Sequence, residues 1–205
     1  MVSSQLLDPA SKEETELKRR TITNFRLAVT MVEEVNTMGD IRLFVSHSHD
    51  DKKIAAALVD VIEATMVPRE RILCTSHDNR KYRYPKRVNV SRYLRDHLTQ
   101  SSCVLSLWTP NSRKSAWCWF ELGGAWALAT RTYPLLAGGL SQKDLPAALK
   151  GTDAAQLTEA EEIRRVLANV RRALGWDERV KGSAAKEIDA LVNLVRSRWA
   201  PRGRR

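Results

Sequence analysis

The chain has no stretch able to cross a bilayer. Its longest weakly charged run, residues 116–130, is interrupted by Glu121 and is shorter than the roughly 20 apolar residues a spanning helix needs. Nor does it open like a secretory leader, since Met1-Val2-Ser3-Ser4-Gln5 lacks a basic and then apolar layout. These absences place the protein in the cytoplasm, without a membrane partner. Cysteine is sparse: Cys74, Cys103 and Cys118 are odd in number, form no C-x-x-C pair and sit in apolar runs, which favours small buried hydrophobes over disulfides. Glycine is missing throughout residues 41–116. No G-x-G-x-x-G follows the first strand-like segment, which excludes a Rossmann mode of holding a pyrophosphate, and no G-x-S-x-G elbow supports a Ser-His-Asp hydrolase. What remains, 205 residues with 43% hydrophobic and 28% charged side chains, suits one soluble domain with a sizeable core rather than a disordered or collagen-like chain.

The net charge of +10 is concentrated. Residues 79–95 carry seven basic side chains (Arg80, Lys81, Arg83, Lys86, Arg87, Arg92 and Arg95) and no acid, and residues 196–205 carry five arginines. Outside these segments 22 basic residues face 24 acidic ones, so the rest of the chain is nearly neutral. Such clusters suit the phosphates of a nucleotide or a polyanion, because gathered guanidinium and ammonium groups raise the local potential. The bland alternative is a solvated loop and a frayed tail, and the tail fits that account better because termini are commonly disordered.

Hydrophobic periodicity then gives the order of elements. Residues 12–38 place Ile22, Phe25, Val29 and Val32 on one helical face. After Gly39 the pattern changes to a strand at 41–45, a polar turn Ser46-His47-Ser48-His49-Asp50-Asp51, and a helix with Ile54, Leu58, Val59 and Ile62 on one side. Strands follow at 71–75, 103–108, 132–136 and 154–157, and helices at 88–99 and 116–129. Another helix starts where Thr158 and Glu161 form a capping-box pattern, and a last helix covers 184–199. Alternating β and α elements predict a parallel sheet covered on both faces, with ligands at the carboxyl ends of its strands. Those ends carry residues 46–51, 76–87 and 109–115.

The sharpest chemical signal lies in residues 116–129, Ala-Trp-Cys-Trp-Phe-Glu-Leu-Gly-Gly-Ala-Trp-Ala-Leu-Ala, where Glu121 is the one carboxylate among indoles, alanines and glycines. An unpaired buried carboxylate is costly, so Glu121 must be paired, exposed or set beside a cleft where its charge is used. Trp117 lies four residues away on the same helical face, and Cys118, Leu122, Ala125 and Ala129 form an adjacent stripe suited to the sheet. Trp119, Phe120 and Trp126 read as core or interface aromatics. His47, His49, Asp50, Asp51 and His77 have a simpler account as turn and cap residues than as a metal site, and no metal is expected.

Three segments in order resemble the Toll/interleukin-1 receptor (TIR) domains of bacterial type. They are Leu43-Phe44-Val45-Ser46-His47-Ser48-His49-Asp50-Asp51; Arg69-Glu70-Arg71-Ile72-Leu73-Cys74-Thr75-Ser76; and Leu105-Ser106-Leu107-Trp108-Thr109-Pro110-Asn111-Ser112, continuing through Ser115 to Gly123. The likeness covers about 41–174. It implies a flavodoxin-like α/β fold of about five parallel strands with helices on both faces, here with extra N-terminal and C-terminal helices. The domain layout it suggests is an N-terminal helix at 1–40, a TIR domain at 41–175, and a C-terminal helix with a basic tail at 176–205.

For many members the family implies cleavage of the nicotinamide-ribose N-glycosidic bond of NAD+, as substrate and without a cofactor, releasing nicotinamide and ADP-ribose or a cyclic ADP-ribose, in a setting of antiphage defence. By that likeness Glu121 is the catalytic glutamate and Trp117 an active-site aromatic. The residues suit this chemistry on their own terms: a carboxylate stabilises an oxocarbenium-like ribosyl centre or holds ribose hydroxyls, and a flat indole stacks on a pyridinium ring. Ser46 and His47, at the end of the first strand, are placed on the nucleotide, and Arg80, Arg83 or Arg87 on its pyrophosphate.

The loop departs from the family pattern. Pro85-Lys86-Arg87 stands where bacterial members commonly carry Pro-Gly, which points to a stiffer, more basic loop open to an acidic activator or an adjoining subunit. The expected partners are NAD+, further copies of the chain through TIR-TIR contacts, and an activating protein or signal. The alternative is a catalytically silent TIR scaffold. A nucleic-acid binder ranks third, because few aromatics interleave with the basic residues.

Overall fold

The computed structural model describes residues 43–65, 71–74, 89–175 and 184–200, all within the compact unit Ile41–Arg205. The helix expected at 12–38 and the basic residues Arg80, Arg83 and Arg87 lie outside the described residues. Five strands form the sheet: β1 (Leu43–Ser46), β2 (Ile72–Leu73), β3 (Cys103–Trp108), β4 (Arg131–Leu136) and β5 (Ala155–Gln156). All four pairings are parallel and the order is β2-β1-β3-β4-β5, the flavodoxin-like arrangement. Five α-helices accompany them among the described residues: α1 (Lys52–Thr65), α2 (Val90–Gln100), α3 (Ala116–Ala127), α4 (Ala160–Ala173) and α5 (Ala185–Arg198).

The period-two alternation of the strands sorts side chains to two faces. Leu43, Val45, Leu105, Leu107, Leu135 and Ala155 join the buried faces of α1, α4 and α5 in one cluster. Phe44 and Val104, one residue out of phase, pack with Leu94 and Leu98 of α2 and Ala125 of α3 in another. Ser46 shares the phase of Phe44 and is therefore directed to the α3 side. Helix α5 is part of the first layer, burying Ile188, Leu191, Val192 and Val195 and packing on α1 and α4.

Local chemistry sets several element ends. Asn89 caps α2 by accepting the Arg92 N–H at 3.0 Å, and Ser115 caps α3 by accepting the Cys118 N–H at 3.3 Å. Helices α2 and α3 approach closely at Gly124, where an added Cβ would stand 3.0 Å from Leu98 Cδ2. The capping box expected at Thr158 and Glu161 does not form: Glu159 is the N-cap and its side chain makes no capping bond. Glu161 instead pairs with Arg164, while Glu162 accepts the Gln156 N–H at 2.7 Å and ties β5 to the first turn of α4.

Strand β1 runs to Ser46, one residue beyond the expected strand, so Ser46 ends the strand rather than opening the turn. Ala129 is exposed and lies past the end of α3 with φ 53°, so it does not extend the buried stripe. The Thr130 N–H reaches the Ala125 carbonyl at 2.9 Å and the Ala129 N–H reaches Trp126 at 3.0 Å, closing the helix with a Schellman motif that usually carries glycine.

Candidate active site

In this strand order the chain passes from β1 to β2 on one side and later to β3 on the other, which makes the carboxyl ends of β1 and β3 the switch point where ligands bind on such sheets. Ser46 is the last residue of β1 and is in register with Ser106 of β3. Helix α3 lays a stripe of Cys118, Glu121, Leu122 and Ala125 on the sheet, which buries Glu121 to 5% exposure beneath this rim. The Ser46 hydroxyl donates to Glu121 Oε2 at 2.6 Å, joining residues 75 apart in the chain.

Burial pushes the Glu121 carboxyl up to about 7, although hydrogen bonds from Ser46 and Trp117 act in the opposite direction. The carboxyl is thus bonded on one side by the Ser46 hydroxyl, with Trp117 one helical turn away, and has no cation paired with it among the described residues. Trp117 is 39% exposed and stacks on Phe120 with ring centroids 6.1 Å apart. A buried carboxyl and a half-open aromatic face are therefore adjacent.

The segment leading into α3 is held from below. Asp51, read as a turn or cap residue, is almost fully buried and accepts hydrogen bonds from Thr109 Oγ1 at 2.5 Å and Asn111 Nδ2 at 2.6 Å. Thr109 Oγ1 also accepts the Asn111 and Ser112 N–H groups, and Ser112 Oγ accepts the Thr109 N–H at 2.7 Å. Asp51 thereby fastens the start of α1 to the loop after β3 and fixes where α3 begins. Nothing in the turn sequence distinguishes it from an ordinary cap acid, because its partners lie 58 and 60 residues away.

His47 is buried, and its Nδ1 lies 3.0 Å from the Val45 carbonyl and 4.0 Å from Cys74 Sγ. A carbonyl can only accept, so Nδ1 carries the proton. The structure thus brings Ser46 and Trp117 to Glu121 and sets His47 on the β1 backbone. All three cysteines are buried free thiols, and burial pushes Cys103 up to about 12, which removes it as a nucleophile at neutral pH. Among the described residues no group of His, Cys, Asp and Glu side chains could hold a metal ion, and no helix is long and apolar enough to cross a membrane.

The aromatics of α3 are not core residues. Phe120 is 70% and Trp126 63% exposed, while Trp119 leans its half-exposed ring edge-on against buried Trp108 and donates its indole N–H to the Arg113 carbonyl at 2.9 Å.

The sheet order, with a buried glutamate beside its switch point, defines an α/β domain of the flavodoxin-like class. Within that class, the family model described as "TIR domain" matches residues 43–167, more than half of the chain. The chain belongs to the TIR domain family. It is also similar to the protein named "Uncharacterized protein YddK" of Bacillus subtilis (strain 168), with 28% identity over 111 residues, covering 54% of this chain. The matched region spans 39% of that relative's length.

Proposed function

We propose that this TIR domain cleaves the N-glycosidic bond between nicotinamide and ribose in NAD+, with Glu121 as the catalytic carboxylate. The observation that carries this reading is Glu121 itself: buried at the switch point, gripped by Ser46 at 2.6 Å, and adjacent to the open face of Trp117. In the reaction the C1′–N bond breaks, nicotinamide leaves as a neutral base with the bonding electrons, and the ribosyl carbon acquires cationic character. Ionised Glu121 stabilises that charge or accepts hydrogen bonds from the ribose hydroxyls. Water, or a nucleophile within the ADP-ribosyl group, then bonds to the carbon.

Ser46 holds the carboxylate by donating to it, which preorganises its position. A pyridinium ring arriving on Trp117 brings a positive charge close to Glu121 and favours the ionised form that burial opposes. Glu121→Gln keeps the shape and removes the charge. Mass-detected chromatography should show nicotinamide release by the parent chain, over a range of protein concentrations, and none by the folded Gln variant. Equal release by both proteins would sink the assignment.

A second reading is favoured by the exposed Trp119 and Phe120, which give α3 an apolar outer surface suited to another copy of the chain. Self-association through it is compatible with catalysis or with a silent scaffold. The family likeness gives antiphage defence as the setting for either.

A further inference from the structure

A concave site lies at the other end of the sheet from Ser46 and Glu121. A cavity of about 340 Å³ opens at the amino end of β4, between the closing turn of α3 and the segment 148–153. Trp126, Ala129, Arg131, Tyr133, Leu149 and Asp153 are among the residues that line it. No part of the Ser46–Glu121 site contributes to this lining.

Three features distinguish it from an ordinary surface hollow. Arg131 has no hydrogen-bond or ion-pair partner among the described residues, and Asp153, the acid on the same wall, is already engaged by the Arg165 guanidinium and by Asn169 Nδ2. The cavity therefore presents a cation, and the acid that shares its lining is engaged by other groups. Trp126 keeps most of its indole open. Finally, Ala129 is the one non-glycine residue with positive φ among the described residues, and it turns the chain from α3 into the strand that bears Arg131. Backbone strain of this kind concentrates at ligand clamps and switch regions.

We propose that this cavity binds a small aromatic anion of the nucleoside monophosphate class, with its ring stacked on Trp126 and its anionic group on Arg131. Stacking on an indole and pairing with a guanidinium are both sequence-tolerant, general interactions. The volume is at the lower end of small-molecule sites, which run from about 300 to 1,000 Å³, so it suits one ring system with one anionic group rather than a dinucleotide. Thr130, Thr132 and Thr152 share the same lining, with the Thr132 and Thr152 hydroxyls already donating to the Thr130 and Leu149 carbonyls.

The test is calorimetric titration of the full chain with adenosine monophosphate. Adenosine, inorganic phosphate and nicotinate serve as the arms that separate ring, phosphate and aromatic carboxylate. The expected result is saturable binding of the monophosphate with a dissociation constant below about 1 mM, and at least about tenfold weaker binding of adenosine and of phosphate alone. Tighter binding of nicotinate than of the monophosphate would overturn the assignment of a nucleotide. Arg131→Ala and Trp126→Leu alter exposed side chains and should each weaken the monophosphate by roughly fivefold or more, with circular dichroism unchanged. Glu121→Gln should bind it like the parent. Absence of saturation by about 5 mM, parent-like binding by Arg131→Ala, or loss of binding in Glu121→Gln would each overturn the proposal.

Discussion

Replacing Glu121 by glutamine should change how folding stability depends on pH. Burial raises the carboxyl from 4.5 to about 7, so the folded protein holds a proton there that the unfolded chain releases at lower pH. The stabilisation by the protonated form is complete below about 4.5 and is lost as pH rises through about 7. At about 1.4 kcal/mol for each tenfold change in a protonation equilibrium, the rise corresponds to about 3 kcal/mol. Glutamine does not titrate, and its carbonyl can still accept the Ser46 hydroxyl at the place of Oε2. The Gln variant should therefore gain up to about 3 kcal/mol relative to the parent between pH 4.5 and pH 8. Urea unfolding of both proteins at a series of pH values measures this, and taking the difference cancels every other titrating group. A difference that stays constant across the range would refute the reasoning, because it would mean that Glu121 titrates alike in the folded and unfolded states.

Other consequences are as direct. If ionised Glu121 is the form that works, kcat/KM for NAD+ should rise with pH through about 7 and level off above it; a flat profile from pH 5 to 9 would count against that role. Asp51→Ala strands the Thr109 hydroxyl and the Asn111 amide, and should cost about 3 kcal/mol in urea unfolding, whereas a loss below about 0.5 kcal/mol would show that the clamp is dispensable. Ala129→Gly relieves a left-handed backbone conformation and should raise stability by about 1 kcal/mol, visible as a higher melting temperature. Gly138→Ala should lose at least about 2 kcal/mol, since φ is +69° and the new Cβ would stand 2.5 Å from Pro110 Cδ and 2.9 Å from Trp199.

The parallel sheet was legible because strand and helix periods alternate along the chain, and Glu121 because a lone carboxylate stands out among apolar neighbours. Its partner was less legible. Ser46 looks like the first residue of a turn, and only the extension of β1 by one position, in register with Ser106, turns its hydroxyl to the α3 side. Asp51 does sit in the turn before α1, but its partners are hidden for a related reason, since a short-range account is available for any acid before a helix while these partners come after β3. Helix α3 is apolar on nearly every side, so periodicity could not separate the stripe that meets the sheet from Phe120 and Trp126 outside it. At Ala129 no residue type signals the left-handed turn that other helices mark with glycine.

The packing of α5 also bears on where the gene may be cut. The family match ends at residue 167, inside α4, yet the four buried side chains Ile188, Leu191, Val192 and Val195 fill the same layer as Leu58 and Ile62 of α1. At about 1.5 to 3 kcal/mol for each fully buried aliphatic side chain, they hold roughly 6 to 12 kcal/mol, as much as the entire margin by which a domain stays folded. A clone trimmed to the recognised boundary would carry Glu121 and its neighbours intact and still yield insoluble protein. An inactive result from such a fragment would then report on a missing wall of the core, not on the chemistry of the site.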